Sequence, residues 1–529
     1  MVHLQNISYI HPNKDMLFQD IHFTLNKQEK IALIGQNGVG KSTLLQIIAG
    51  LLPLSSGTLF LEEKPYYVPQ QFAAYSGQTV AQVLGIADMR EALQRILAGE
   101  VAPELYDQLN DRWDIEEASL EALAEWDLIL SDLDQPFDLL SGGEKVKVFL
   151  AGIRVHQPAL LLLDEPSNHL DRPAREKLMT LLENTRASLL LVSHDRELLD
   201  RIPLTAEMSS QGMQRFGGNY SFYTAQKDLE RNALEQQVLA KEKALRKAKD
   251  KEREANERQQ KLNARGKGKQ EKAGVARIMM NTLRNQAEGS SAKLKAVHQE
   301  KITGVRQDLQ QLRASRSDLE QMKVGFAQSN THQGKKLLEA TALNYRYGDR
   351  PLWEEGLSFA LYHGDRMAIQ GRNGAGKTTL IQLILGKIPP SEGELKDNPF
   401  QAIYVDQDYS LMQSNQSVYE MAASFNQSAL QEHELKIRLN RFLFAKESWD
   451  QSCLSLSGGE KMRLLLCCLH IASQAPDLII LDEPTNNLDI PNMEILTEAL
   501  LGFQGTLLVV SHDARFLEEI GVNRTLFIK

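Results

Sequence analysis

Two nine-residue loops carry the residue types that a polyphosphate requires. Gly35-Gln36-Asn37-Gly38-Val39-Gly40-Lys41-Ser42-Thr43 returns as Gly371-Arg372-Asn373-Gly374-Ala375-Gly376-Lys377-Thr378-Thr379. Glycines let backbone N–H groups approach an anion, and a helix that starts behind the loop adds the positive end of its dipole. Lys41 and Lys377 can then reach the β- and γ-phosphates of a nucleotide, and Ser42 and Thr378 offer a hydroxyl to Mg²⁺. Further along, the apolar runs Leu160–Leu163 and Leu478–Leu481 each end in Asp-Glu. Asp164 and Asp482 suit the same cation, directly or through its waters. Glu165 and Glu483 are placed to polarise an attacking water and take its proton. His194 and His512 end apolar strands 29 residues later and read as γ-phosphate sensors that orient this water.

These groups need elements to hold them. A short apolar strand precedes each loop (Ile31–Ile34, Met367–Ile369) and an apolar helical segment follows it (Leu44–Ile48, Leu380–Leu385). Leu-Ser-Gly-Gly-Glu-Lys occurs at Leu140–Lys145 and again at Leu456–Lys461, so the whole set of motifs is duplicated. Lys41 and Lys377 stand 336 positions apart, Glu165 and Glu483 only 318, so the first copy carries about 18 extra residues. We place this insert within 87–126. The expected organisation is a first domain over 1–222, a linker over 223–325 and a second domain over 336–529.

The 529 residues carry a net charge of -9, which argues against a generally basic nucleic-acid coat. No apolar run reaches the length of a membrane span, and the opening MVHLQNISYI lacks the pattern of a secretory signal. A cytoplasmic protein is expected. Cys453, Cys467 and Cys468 have neither disulfide nor metal spacing and read as small buried hydrophobes.

The linker differs in composition. Leu204 to Arg350 contains no proline, and Lys241–Lys295 holds 17 Lys/Arg against 7 Asp/Glu, a local charge of +10. Leu234, Val238, Leu245 and Ala248 fit an apolar seam, matched on the return by Ile302, Val305, Leu309, Leu312 and Leu319. This predicts an antiparallel helical hairpin about 50–60 Å long at 1.5 Å per residue. Its turning end would lie at Arg265-Gly266-Lys267-Gly268-Lys269 and Gly289-Ser290-Ser291. A solvated charged linker is the alternative. Lys and Arg release counterions from nucleic-acid phosphate, and the segment Lys241–Lys295 has no aromatic for base stacking.

Taken together, the motifs resemble the Walker A, Walker B, signature and switch-histidine motifs of the ATP-binding cassette superfamily. The resemblance implies an α/β fold with two P-loop ATP-binding cassette domains, and ATP with Mg²⁺ as ligands. It also implies that each signature helix caps the γ-phosphate held by the other cassette. One site would then join Lys41, Glu165 and His194 to Ser457-Gly458-Gly459, and the other Lys377, Glu483 and His512 to Ser141-Gly142-Gly143. Gln70 and Gln407 fall where the family has a glutamine that touches the metal. The family stacks adenine on an aromatic about 30 residues before the lysine; Tyr347 fits, but His11 stands at the matching place in the first copy, which suggests a weaker hold there.

Within the superfamily, Asp-Glu-Pro-Ser-Asn-His-Leu-Asp at 164–171 and Gly-Asn-Tyr-Ser at 218–221 resemble the ABC-F branch. That resemblance implies an ATPase that works on the ribosome as a monomer whose two cassettes pair within one chain. The linker hairpin would reach toward 23S rRNA, the P-site tRNA and the peptidyl transferase centre, in a translation factor or an antibiotic ribosome-protection protein. The insert falls where ABC-F proteins carry an arm, although a plain helical extension accounts for it equally. Other readings are an energising subunit of a membrane importer and a DNA-maintenance ATPase, neither of which explains a basic hairpin between two cassettes.

Overall fold

The computed structural model describes every residue except 131, 210–211, 273–295, 297–298, 314–333, 428, 473, 487 and 529. It contains two compact units. One comprises Met1–Ser221 with Met322–Lys529, and the other Phe222–Gln321.

The larger unit holds the two copies. In the first, a six-stranded sheet runs Tyr66–Val68, Leu160–Asp164, Ser188–Val192, Lys30–Ile34, Leu204–Ser209 and Gly212–Phe216. Its strands are parallel except for the last pair. Leu160–Asp164 and Ser188–Val192 are buried along their whole length, as expected of parallel strands covered on both faces. A three-stranded antiparallel sheet (Met16–Leu25, Val2–Ile10, Ser56–Leu61) packs nearby. Leu44, Leu45, Ile47 and Ile48 of the helix Lys41–Ile48 join the inner faces of both sheets in one core.

The second copy repeats this plan. Five parallel strands run Ala402–Val405, Leu478–Asp482, Thr506–Val510, Arg366–Gln370 and Arg524–Phe527. The helix Lys377–Ile384 lies in the core between them and a second antiparallel sheet. The strand order carries the function: in each copy the Asp-Glu pair, the segment with His194 or His512 and the phosphate loop emerge at the carboxyl ends of three successive parallel strands, where such sheets place their ligands.

Three helices (Ala87–Leu97, Pro103–Leu109 and Ile115–Glu125) occupy the inserted stretch of the first copy; Glu432–Arg441 stands at this point in the second. Leu93, Leu105, Leu109, Ile115 and Leu123 are buried. Arg90 bridges Glu116 and Asp134, tying the first of these helices to the third and to the segment behind it.

Apart from its first two residues, the helix Tyr220–Lys272 belongs to the smaller unit; it has 53 residues and is about 80 Å long at 1.5 Å per residue. Helical residues 299–313 lie against it. Val238, Ile302 and Leu309 are buried, and Leu234, Leu245, Ala248, Val305 and Leu312 partly so. The ion pairs Lys241–Asp308 and Arg313–Glu242 flank this seam. The helix therefore exceeds the expected length and runs through Arg265–Lys269, which is not the turn. Glycine costs about 1 kcal/mol in a helix, too little to stop one that continues through Lys, Gln and Glu. Gly289-Ser290-Ser291 and Leu319 lie outside the described residues.

Candidate functional site

Two cavities of about 540 and 530 Å³ lie between the copies. The first is lined by Asn37, Gly38, Gly40, Lys41, Ser42, Thr43, Gln70, Asp164, Glu165 and His194, with Ser457 from the other copy. The second is lined by Asn373, Gly374, Gly376, Lys377, Thr378, Thr379, Gln407, Asp482, Glu483 and His512, with Ser141, Gly142 and Gly143 opposite. Gly458 and Gly459 are absent from the first wall. Gly35 and Gly371 sit behind the loops, where a Cβ would fall 2.4 Å from the Met208 carbonyl and 2.6 Å from that of Ile528. His11 lies on the first wall, edge-on to Tyr9, and Tyr347 on the second with its hydroxyl 3.1 Å from Thr379 Oγ1.

The loops owe their shape to Gly40 and Gly376, whose φ values of 105° and 91° suit only glycine, immediately before the first helical turn. In both copies the lysine ammonium donates to the carbonyl of the loop's first glycine, at 2.7 Å for Lys41 and 2.9 Å for Lys377. Burial lowers the pKa of each lysine, an energetic cost that an anion in the cavity would offset. Ser141 and Ser457 cap the signature helices Gly142–His156 and Gly458–Ile471 in reciprocal boxes with Glu144 and Glu460. Those glutamates bond to backbone N–H groups, so the seryl edge of each helix start faces the cavity.

Both Asp-Glu turns are unusual. Glu165 and Glu483 adopt left-handed backbone conformations, φ 51° and 48°, that cost a non-glycine residue about 1 kcal/mol or more. The turn is held by bonds from the glutamate N–H groups to the Val192 and Val510 carbonyls, each 2.8 Å. It buries the carboxylates and leaves Glu165 Oε1 and Glu483 Oε1 without a hydrogen-bond donor. Glu165 Oε2 accepts from the His194 N–H and Glu483 Oε2 from that of His512. Burial, then the neighbouring Asp164, raises the Glu165 pKa against the pull of Lys41. Burial lifts Glu483 to about 7, against Arg175 and Lys377. Burial lowers His194 to about 3 and His512 to about 4, so both imidazoles are neutral at physiological pH and act by hydrogen bonding. The imidazole Nε2 of His194 and His512 lies 3.4 and 3.6 Å from these Oε1 atoms. A buried carboxylate with a raised pKa and an oxygen that accepts no hydrogen bond is equipped to take a proton.

The donors around Asp164 and Asp482 fit a small hard cation. Ser42 Oγ lies 3.1 Å from Asp164 Oδ1, and Thr378 Oγ1 3.5 Å from Asp482 Oδ2. Among the described residues no cluster of three or more His, Cys, Asp or Glu forms a complete cage, so phosphate oxygens and waters would have to complete the shell, the usual habit of Mg²⁺. Tyr67 and Tyr404, whose hydroxyls donate to the same aspartates, belong to no motif legible in the sequence. The Asn-x-Leu-Asp segments are further parts of the site not expected from the sequence. Asp489 accepts from the Asn37 N–H at 2.9 Å, and the His169 carbonyl from Asn373 at 3.0 Å, so each segment grips the other copy's phosphate loop. Their signal was the duplicated spacing after Asp-Glu-Pro.

The family profile described as ABC transporter matches residues 18–168 and 355–486. ABC transporter F family member 2 of Arabidopsis thaliana is 30% identical over 561 residues, spanning 100% of this chain and 76% of its own length. This chain belongs to the ABC-F family. This ABC-F protein is also 30% identical to the Ribosome protection protein VmlR of Bacillus subtilis, over 98% of the chain and 85% of the relative. It is 29% identical to the Energy-dependent translational throttle protein EttA of Haemophilus influenzae, over 98% and 90%. Its fold is similar to that of aABCE1 in a complex with the archaeal stalk protein aP1, with a TM-score of 0.60 and 19% identity over 99% of this chain and 87% of that one. The ABC-F protein binds and hydrolyses ATP. Among its described residues no helix is long and apolar enough to cross a membrane.

If His11 replaces the adenine-stacking aromatic, His11→Tyr should tighten nucleotide binding at the first site roughly threefold to tenfold, the value of a gained aromatic stack. Nucleotide titration of the variant in a Lys377→Ala background, against the same background with His11, measures this.

Proposed function

We propose that this ABC-F ATPase acts on the ribosome, with the closing of its cassettes around ATP governing where the basic hairpin goes. The observation that carries the reading is the pair of composite cavities, each built from one cassette's phosphate loop and the other's signature serine, in a chain that joins the cassettes by a charged helical segment. The names of the relatives VmlR and EttA support a role in translation or ribosome protection.

In this reading the chain divides into a cassette over 1–222, a hairpin over 223–325 and a cassette over 336–529, working as a cytoplasmic monomer. The glycine loops with Asn37 and Asn373 hold the phosphates, and His11 and Tyr347 face the base. Ser42, Asp164 and Gln70, and likewise Thr378, Asp482 and Gln407, would hold Mg²⁺. When bound, this ion neutralises phosphate charge. Glu165 and Glu483 accept the proton of the attacking water through Oε1, which accepts no hydrogen bond, and the neutral His194 and His512 beside them orient it. Ser141 and Ser457 complete each site only when the cassettes meet, so ATP binding and closure are one event. Release of phosphate reopens them. The hairpin, by charge and shape, would approach 23S rRNA and the P-site tRNA near the peptidyl transferase centre.

Co-sedimentation tests the proposal. With a non-hydrolysable ATP analogue the protein should pellet with ribosomes, and with ADP it should stay in solution. Pelleting with membrane vesicles in place of ribosomes would favour an importer subunit and overturn the proposal.

A further inference from the structure

The duplicated site loses its symmetry at one position. Asp171 and Asp489 cap the matching helices Arg172–Asn184 and Ile490–Gly502. Four residues beyond each cap stand Arg175 and Met493. Met493 is buried and lines the first cavity. Arg175 lines both cavities. Its Nε donates to the Leu170 carbonyl at 3.2 Å, and its Nη1 lies 3.5 Å from Asp195 Oδ2. This oxygen is buried and has no hydrogen-bond donor, so the guanidinium is the charge that compensates it. Asp195 directly follows His194 of the first site.

One cation of the first cassette is thus tied to the switch segment of its own ATP site while it shares the second cavity with Glu483 and His512. The reciprocal place is taken by a thioether, which carries no charge and donates no hydrogen bond. A fixed guanidinium facing a site where negative charge develops stabilises the transition state at little reorganisation cost.

We propose that Arg175 is a positioning residue that links the two ATP sites in one direction: held by Asp195 beside the first site, it sets the rate of hydrolysis in the second. Rearrangement of His194-Asp195 when the first site fills or empties would move the guanidinium relative to Glu483. Met493, at the reciprocal place, has no charge with which to carry a signal back. This inference rests on the assignment of Glu165 and Glu483 as the bases of separate sites, and the experiment separates the two ideas.

Single-turnover conversion of bound ATP to ADP is measured in Glu165→Gln, which leaves the second site competent, and in Glu483→Gln, which leaves the first. Each background receives Arg175→Met, which copies the opposite cassette, and Arg175→Lys, which keeps the charge. Arg175→Met should slow the second site about tenfold more than the first, through the rate constant and not the ATP concentration for half-saturation, and Arg175→Lys should recover most of this loss. Equal slowing of both sites, or no slowing of either, would overturn the inference. Equal slowing with a lowered melting temperature would identify Arg175 as an interface strut. If neither glutamine variant alone slows ATP conversion, the assignment of the bases has failed, and the inference falls with it.

Discussion

With Glu165→Gln and Glu483→Gln combined, ATP hydrolysis falls by about two to four orders of magnitude while ATP binding survives, and the protein stays on ribosomes for as long as ATP is present. The size of the loss is that of removing a positioned general base. Glutamine keeps the volume of glutamate and one oxygen to accept from the His194 or His512 N–H, so the turn and the cavity persist. What it cannot do is take a proton at the position where Oε1 stands without a donor. Without hydrolysis the closed state has no exit, and the complex accumulates. Phosphate release and ribosome co-sedimentation of the same preparation measure both halves of the result. A variant that binds ATP and sediments free would sink the ribosomal reading while leaving the ATPase intact.

The second large effect lies in the long basic helix. Lys247, Lys249, Lys251, Arg253, Lys261 and Arg265 are exposed on the long helix. Changed together to glutamine, they should leave ATP turnover without ribosomes unaltered, because the cassettes form a separate compact unit. Ribosome affinity should fall, and its dependence on salt should flatten by roughly 0.7–0.9 in logarithmic slope for each phosphate that is no longer neutralised. The pairs Lys241–Asp308 and Glu242–Arg313 are untouched, so residues 299–313 keep their hold on the long helix. Binding isotherms across a salt series check the slope. Weaker binding with an unchanged slope would show that these cations do not meet phosphate.

Much of this molecule was legible because the same chemistry is written twice. A single Asp-Glu after an apolar strand is weak, but Asp164-Glu165 and Asp482-Glu483, with matching loops and histidines, marked the strand ends that line the two cavities. The seam through Val238 and Leu309 was likewise readable, since packed helices impose their period on apolar residues. Residues that depend on another part of the chain were not readable. The left-handed φ of Glu165 and Glu483 arises from hydrogen bonds to neighbouring strands, and no local propensity announces it. Arg175 gains its meaning only from the cavity of the opposite cassette. The end of the long helix was misjudged for a different reason: Gly266 and Gly268 are helix-weakening on average, yet their neighbours carry the helix past them.

The contacts Asn37–Asp489, Asn373–His169 and Arg196–Glu519 join two cassettes that a single polypeptide already holds near each other. Their meeting is a first-order event, with an effective local concentration set by the connecting chain and not by how many copies the cell makes. Dilution therefore cannot open the clamp, and overproduction cannot close it. Whether the cassettes meet then depends on what fills the two cavities and not on how much of the chain is present.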